Sequence, residues 1–117
     1  MKYTVTCPVD VTLRMIGGKY KSLILWYLLE NEVMRYGELQ KNVILATPKM
    51  LTQQLRELEN DGLVHREVFP VVPPKVEYSL TAVGKSLKPI LTAMYQWGEE
   101  FMIQNDLDVH CEMHQLD

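Results

Sequence analysis

Between Thr47 and Leu63 the apolar residues recur at helical spacing. Leu51, Leu55 and Leu58 share one side at ~100° per residue, and Lys49, Thr52, Gln53, Arg56 and Asn60 fall on the other. Thr47 is suited to cap such a helix, and Pro48 to its first position, where a missing N–H costs nothing. Gly62 supplies the stop. The outer face carries two cations and three hydrogen-bonding side chains, with no acid and no large apolar group. A solvated surface helix has the same look, but so does a helix that reads nucleic acid.

The pattern upstream predicts smaller helices. Pro8 opens one, with Val9, Leu13 and Ile16 on a single stripe, and Gly17-Gly18 ends it. Lys19 to Leu29 follows, and its run from Leu23 to Leu29 is apolar all round, as in a helix at the centre of a core. Val33-Met34-Arg35 is a short strand. Tyr36 to Asn42 is a short helix with Leu39 and Val43 turned inward. A short helix, a tight turn and a second helix with a polar outer face form a helix-turn-helix.

Downstream the period changes from helical to two. Val64–Phe69 and Lys75–Leu80 both alternate, as half-buried strands do, around Pro70-Val71-Val72-Pro73-Pro74. Three of those five residues lack a backbone donor, so they make the tip of a hairpin. Helices, a reading helix and then a hairpin is the order of a winged helix-turn-helix, mainly α with a small β-hairpin. Wing cations commonly meet phosphates, which nominates Lys75 and Arg66. Thr81 then caps a long last helix, kinked near Pro89. Its Val83, Leu87, Ile90, Leu91, Met94, Tyr95, Trp97, Phe101 and Met102 exceed what one small domain needs to bury. The surplus predicts a partner helix, most simply that of a second subunit.

Length and hydrophobic content change the picture little. The 117 residues, 47% hydrophobic, suit one domain over residues 1–104, with residues 1–6 ordered only by what they touch and an acidic tail over 105–117. Charge matters more. The net charge is -3, yet residues 96–117 hold six acids and no Lys or Arg, leaving nine acids against twelve bases before residue 96. The acidity is a property of the end, so it does not veto a basic binding face. No signal-peptide pattern and no membrane-length apolar run is present, and the cytoplasm is the expected location. Two cysteines near opposite ends, Cys7 and Cys111, are not a secreted disulfide framework.

Enzymatic readings find no support. His110, Cys111 and His114 are loosely metal-like in spacing but lack a fourth ligand, so no metal or cofactor is expected. No glycine-rich phosphate loop follows a strand, and no Ser/His/Asp or Cys/His set falls on core elements.

Four blocks make the reading specific: CPVDVTLRMIGGKYKSLILWYLL, RYGELQKNV, KMLTQQLRELENDGLVHRE and PVVPPKVEYSLTAVGKSL. In this order they resemble the HxlR family of bacterial winged helix-turn-helix transcriptional regulators, across residues 7–98. Tyr20 stands where that family usually has Trp, Tyr36 where Phe is frequent, Thr47 where Ser is usual, and Leu45 where Gly often forms the turn. The resemblance implies a homodimer held by its first and last helices, bound to double-stranded operator DNA. Helix 48–60 would lie in the major groove and the wing, residues 69–76, alongside. Thr47, Lys49, Thr52, Gln53 and Arg56 would face the DNA. In some members the cysteine of the CP motif senses oxidants or electrophiles. Cys7 holds that place at a helix N-terminus, and Cys111 of a second subunit is a candidate to pair with it. The competing class is a winged-helix module for protein–protein contact that binds no DNA.

Overall fold

The computed structural model describes residues 7–107, so expectations for residues 1–6, for 108–117 and for Cys111 lie outside the described residues. Within them, six helices and three strands follow in the order α1 (Pro8–Ile16), α2 (Lys21–Asn31), β1 (Val33–Arg35), α3 (Tyr36–Asn42), α4 (Pro48–Asn60), β2 (Val64–Phe69), β3 (Lys75–Leu80), α5 (Ala82–Lys85) and α6 (Lys88–Gln104).

The helix α4 has the predicted bounds, and its ends show why. The Oγ1 of Thr47 accepts a hydrogen bond from the N–H of Met50 at 3.2 Å. At the other end the N–H groups of Gly62 and Leu63 return to the carbonyls of Glu59 and Leu58, a closure that needs the positive φ of 78° at Gly62. Leu51, Leu55 and Leu58 are buried, as the period requires.

Those leucines pack on α2, whose Ile24, Leu25, Trp26, Tyr27 and Leu28 form the centre of the core with Leu39, Val43, Leu63, Tyr78 and Leu80. The second helix begins at Lys21, not Lys19, because Tyr20 serves as its N-cap residue. It has one open position in the apolar run, Leu23, and its Lys21 is buried.

The hairpin forms as expected, with Val64 opposite Leu80 and Phe69 opposite Lys75. The short strand β1 joins it on the far side of β3, giving a three-stranded antiparallel sheet in the order β1-β3-β2. The sheet meets the core mainly at its root. Val64, Tyr78 and Leu80 are buried, whereas Val68 is exposed and the alternation in β2 carries no inner face. The outer hairpin is a wing projecting beyond the domain. The Val72–Pro73 peptide at its tip is cis.

The single kinked C-terminal helix expected from the sequence is instead two. Thr81 caps α5, accepting from the N–H of Gly84 at 3.0 Å and donating to the carbonyl of Gly62 at 2.6 Å. The chain breaks after Lys85, and α6 starts with Pro89 in its first turn. The reason is steric. Proline has no N–H to continue a helix and its ring collides with the carbonyl four residues earlier, here Lys85, whereas a first-turn position avoids both problems. One residue of α6, Leu91, is buried, and the Tyr95 ring stacks on Trp26 of α2 at 4.8 Å. Residues 105–107 close the helix by turns back to Phe101, Met102 and Ile103.

Candidate nucleic-acid interface

The polar face of α4 opens to solvent over a shallow concavity lined by Pro48, Lys49, Thr52, Gln53, Arg56 and Glu57. Lys49, Gln53 and Arg56 are exposed, with their side chains available to a groove or a phosphate. Thr47 is exposed too, though one acceptor position of its hydroxyl is used by the cap.

Thr52 differs from its neighbours. It is half-buried, and its Oγ1 lies 3.3 Å from the hydroxyl of Tyr36 on α3. The same Tyr36 hydroxyl donates to the Pro48 carbonyl at 3.0 Å. One phenol therefore ties the first helix of the motif to the first turn of the second. The sequence offers no sign of this, because Tyr36 and Thr52 are brought together only by the turn between α3 and α4.

Glu57 is the other site residue absent from the set read from the sequence. The helical projection shows an outer face without acid, yet Glu57 lines its edge, and its carboxylate meets Lys21 of α2 with Nζ 2.7 Å from Oε1. The hydrogen bond from Lys21 holds the Glu57 carboxyl below the usual glutamate range. The direct charge of Lys21 and a hydrogen bond from the Gln53 side chain act in the same sense, against the opposing effect of burial. The acid is thereby neutralised from behind, and the cations Lys49 and Arg56 dominate the outward face.

The two wing cations are placed differently from each other. Arg66 sits opposite Tyr78 in the ladder and is exposed. Lys75 is held on the wing itself, 3.2 Å from Glu77 and 4.8 Å over the ring of Phe69. Val71 and Val72, not a cation, form the exposed tip.

Cys7 is the N-cap residue of α1 and is exposed as a free thiol, with no capping hydrogen bond from its side chain. Its helix presents Val9 and Leu13 outward, 63% and 59% exposed, beside Ile90 and Met94 of α6. The apolar stripe expected on α1 thus exists, but of its three residues only Ile16 is buried.

A family model described as HxlR-like helix-turn-helix matches residues 15–106. The chain belongs to the HxlR family. Among HxlR-family relatives, the uncharacterized HTH-type transcriptional regulator YdeP of Bacillus subtilis is 50% identical over 95 residues, 81% of this chain and 73% of YdeP. The redox regulator HypR in its oxidized form superposes with a TM-score of 0.77 at 50% identity, covering 80% of this chain and 96% of HypR. The reduced form of the transcriptional regulator YodB from B. subtilis superposes with a TM-score of 0.69 at 31% identity, covering 83% of this chain and 95% of YodB. This HxlR-family chain is a transcriptional regulator with a winged helix-turn-helix, and the relatives it matches are regulators, not enzymes. Among the described residues no helix is long and apolar enough to cross a membrane.

Proposed function

We propose that the chain acts in the cytoplasm as a homodimer that reads operator DNA, with α4 in the major groove and the wing beside the backbone. The observation that carries this reading is the exposed Lys49, Gln53 and Arg56 face of α4, gathered in one concavity. Gln53 suits adenine and Arg56 suits guanine or a phosphate, with Thr47 and Thr52 adding hydroxyls and Arg66 and Lys75 adding wing charge. Dimerisation is supported by apolar surface that this chain leaves bare on α1 and α6: Val9, Leu13, Met94, Trp97 and Phe101 are all exposed. Two copies related by a two-fold axis match a palindromic operator.

Thiol sensing through Cys7 is the regulatory reading, supported by its exposure at a helix N-terminus and by the redox regulator among the relatives. Mobility shift on the chain's own upstream region and on selected duplexes, over a range of salt and with reductant or diamide, tests both points. A specific complex that weakens steeply with salt supports operator binding, and a diamide-dependent shift that disappears in Cys7→Ser supports sensing. No specific duplex at any salt would favour the protein-contact module instead.

A further inference from the structure

The hydroxyl pair Tyr36–Thr52 has only two protons to distribute, and the geometry fixes where both go. A carbonyl oxygen can only accept. The 3.0 Å contact between the Tyr36 hydroxyl and the Pro48 carbonyl therefore contains the phenol's single proton. Toward Thr52 the phenol oxygen has lone pairs alone, so the 3.3 Å contact there contains the proton of Thr52. Thr52 is half-buried and lines the outward concavity with Gln53 and Arg56, and with its proton spent on Tyr36 its hydroxyl oxygen has only acceptor lone pairs to offer a further partner. A phosphate oxygen is also an acceptor, as are guanine O6 and N7 and thymine O4, and none of them is a partner for such an oxygen. The exocyclic amino groups of adenine and cytosine are.

We propose that the Tyr36 hydroxyl is a positioning group that fixes Thr52 as a hydrogen-bond acceptor, making position 52 a reader of an exocyclic amino group on a base edge. The inference rests on the DNA-binding reading above and narrows it. Tyr36 touches no DNA in this arrangement; it acts by withdrawing the threonine proton. A phenylalanine at position 36 returns that proton and makes Thr52 ambivalent between donor and acceptor partners.

The experiment uses the full chain as wild type, Tyr36→Phe, Thr52→Val and Thr52→Ser, each checked for folding by thermal melting. Duplexes selected from a random pool identify the base pair whose preference Thr52→Val abolishes. At that pair, adenine is replaced by purine or cytosine by pyrimidin-2-one, each lacking only the amino group, and in parallel the purine is replaced by its 7-deaza analogue. Wild type and Thr52→Ser should lose about tenfold in affinity without the amino group and be indifferent to loss of N7. Thr52→Val should be indifferent to both, which cancels any general weakening of the base pair. Tyr36→Phe should show a reduced amino-group penalty and a new sensitivity to N7.

A Tyr36→Phe variant that melts lower but keeps the wild-type base-analogue pattern overturns the proposal, since a purely structural phenol would do that. So does a Thr52-dependent pair sensitive to N7 in wild type, or a Thr52→Val variant with unaltered preferences. If wild type enriches no sequence at all, the DNA-binding reading falls and takes this inference with it.

Discussion

The Nζ of Lys21, at the first position of α2, lies 2.7 Å from Oε1 of Glu57 on α4, the lysine side chain 10% exposed and the glutamate 41%. The pair is lopsided: one partner is enclosed and the other is half in water. Removing the acid leaves a buried cation without compensation, whereas replacing the lysine with an apolar chain leaves an acid that solvent can reach. Glu57→Gln should therefore destabilise more than Lys21→Met. Its cost should be about 1–2 kcal/mol, between the ~0–1 of an exposed pair and the ~3–5 of a fully buried one. Urea unfolding of the two variants checks the order. Equal losses would mean that the lysine's environment is wetter than its burial indicates.

The same pair gives a pH dependence. Glu57 titrates below its ordinary range because Lys21 donates to it. A lowered carboxyl pKa contributes stability that is present above the unfolded value, about 4.3, and is lost as pH falls through the folded value. Wild type should lose stability relative to Glu57→Gln as pH falls from about 5 toward 3, and the two curves should converge there. Parallel curves across that window would contradict the assignment.

On the outward face, Lys49→Ala and Arg56→Ala should each weaken operator binding, and whichever cation meets a phosphate should, on removal, lower the salt slope by about one. Arg56→Ala should also relax base preference if it meets guanine. Lys75→Ala should cost less than Lys49→Ala, because Glu77 and Phe69 already hold the lysine on the wing. Affinity measured at several salt concentrations separates these outcomes, and a Lys75→Ala loss exceeding that of Lys49→Ala would refute the ordering.

The bare apolar face of α6 makes a prediction about assembly. Trp97 is 68% exposed and stacks on Phe101 at 5.4 Å, with both rings on the outside of their own domain. Trp97→Glu combined with Phe101→Glu should convert dimers to monomers in sedimentation and leave the melting of the α2 and α4 core in place. An unchanged sedimentation coefficient would show that a different surface is used.

At the base of the wing, a Cβ on Gly84 would collide with the carbonyl of Leu63 and crowd Leu80. Gly84→Ala should cost about 1–3 kcal/mol, the range for overpacking, although alanine is the better helix former. Thermal melting checks it, and a neutral or stabilising result would mean that α5 shifts to accommodate the methyl.

How much of this is readable in the sequence depends on how far apart the contacting residues lie along the chain. The bounds of α3, α4 and both hairpin strands follow from local signals: Thr47-Pro48, Gly62, the leucine period and the proline-rich tip. Lys49, Gln53 and Arg56 are legible for the same reason, since a helical projection needs no tertiary knowledge. Glu57, Lys21 and Tyr36 are not, because what defines them is a partner on another element. A lysine in a sequence reads as surface, and only the approach of α4 to the start of α2 makes Lys21 a buried one. Pro89 signals a disturbance in the last helix, but its position alone does not separate a kink from a break, and the four-residue α5 ahead of it has too short a pattern to be seen. The exposed stripe on α1 shows the reverse case, an apolar period real in the sequence that finds no cover within its own chain.

The sheet is three strands wide where Met34 pairs with Tyr78 and only two strands wide beyond the pairing of Arg35 with Glu77. It is thus built as a cantilever, clamped at the root by a buried methionine and tyrosine and unsupported on one edge toward Val72. A beam of that kind is displaced most at its free end while its clamp stays still. A wing tip seated on a rough surface can follow the contour without disturbing the leucines that hold α4 in place.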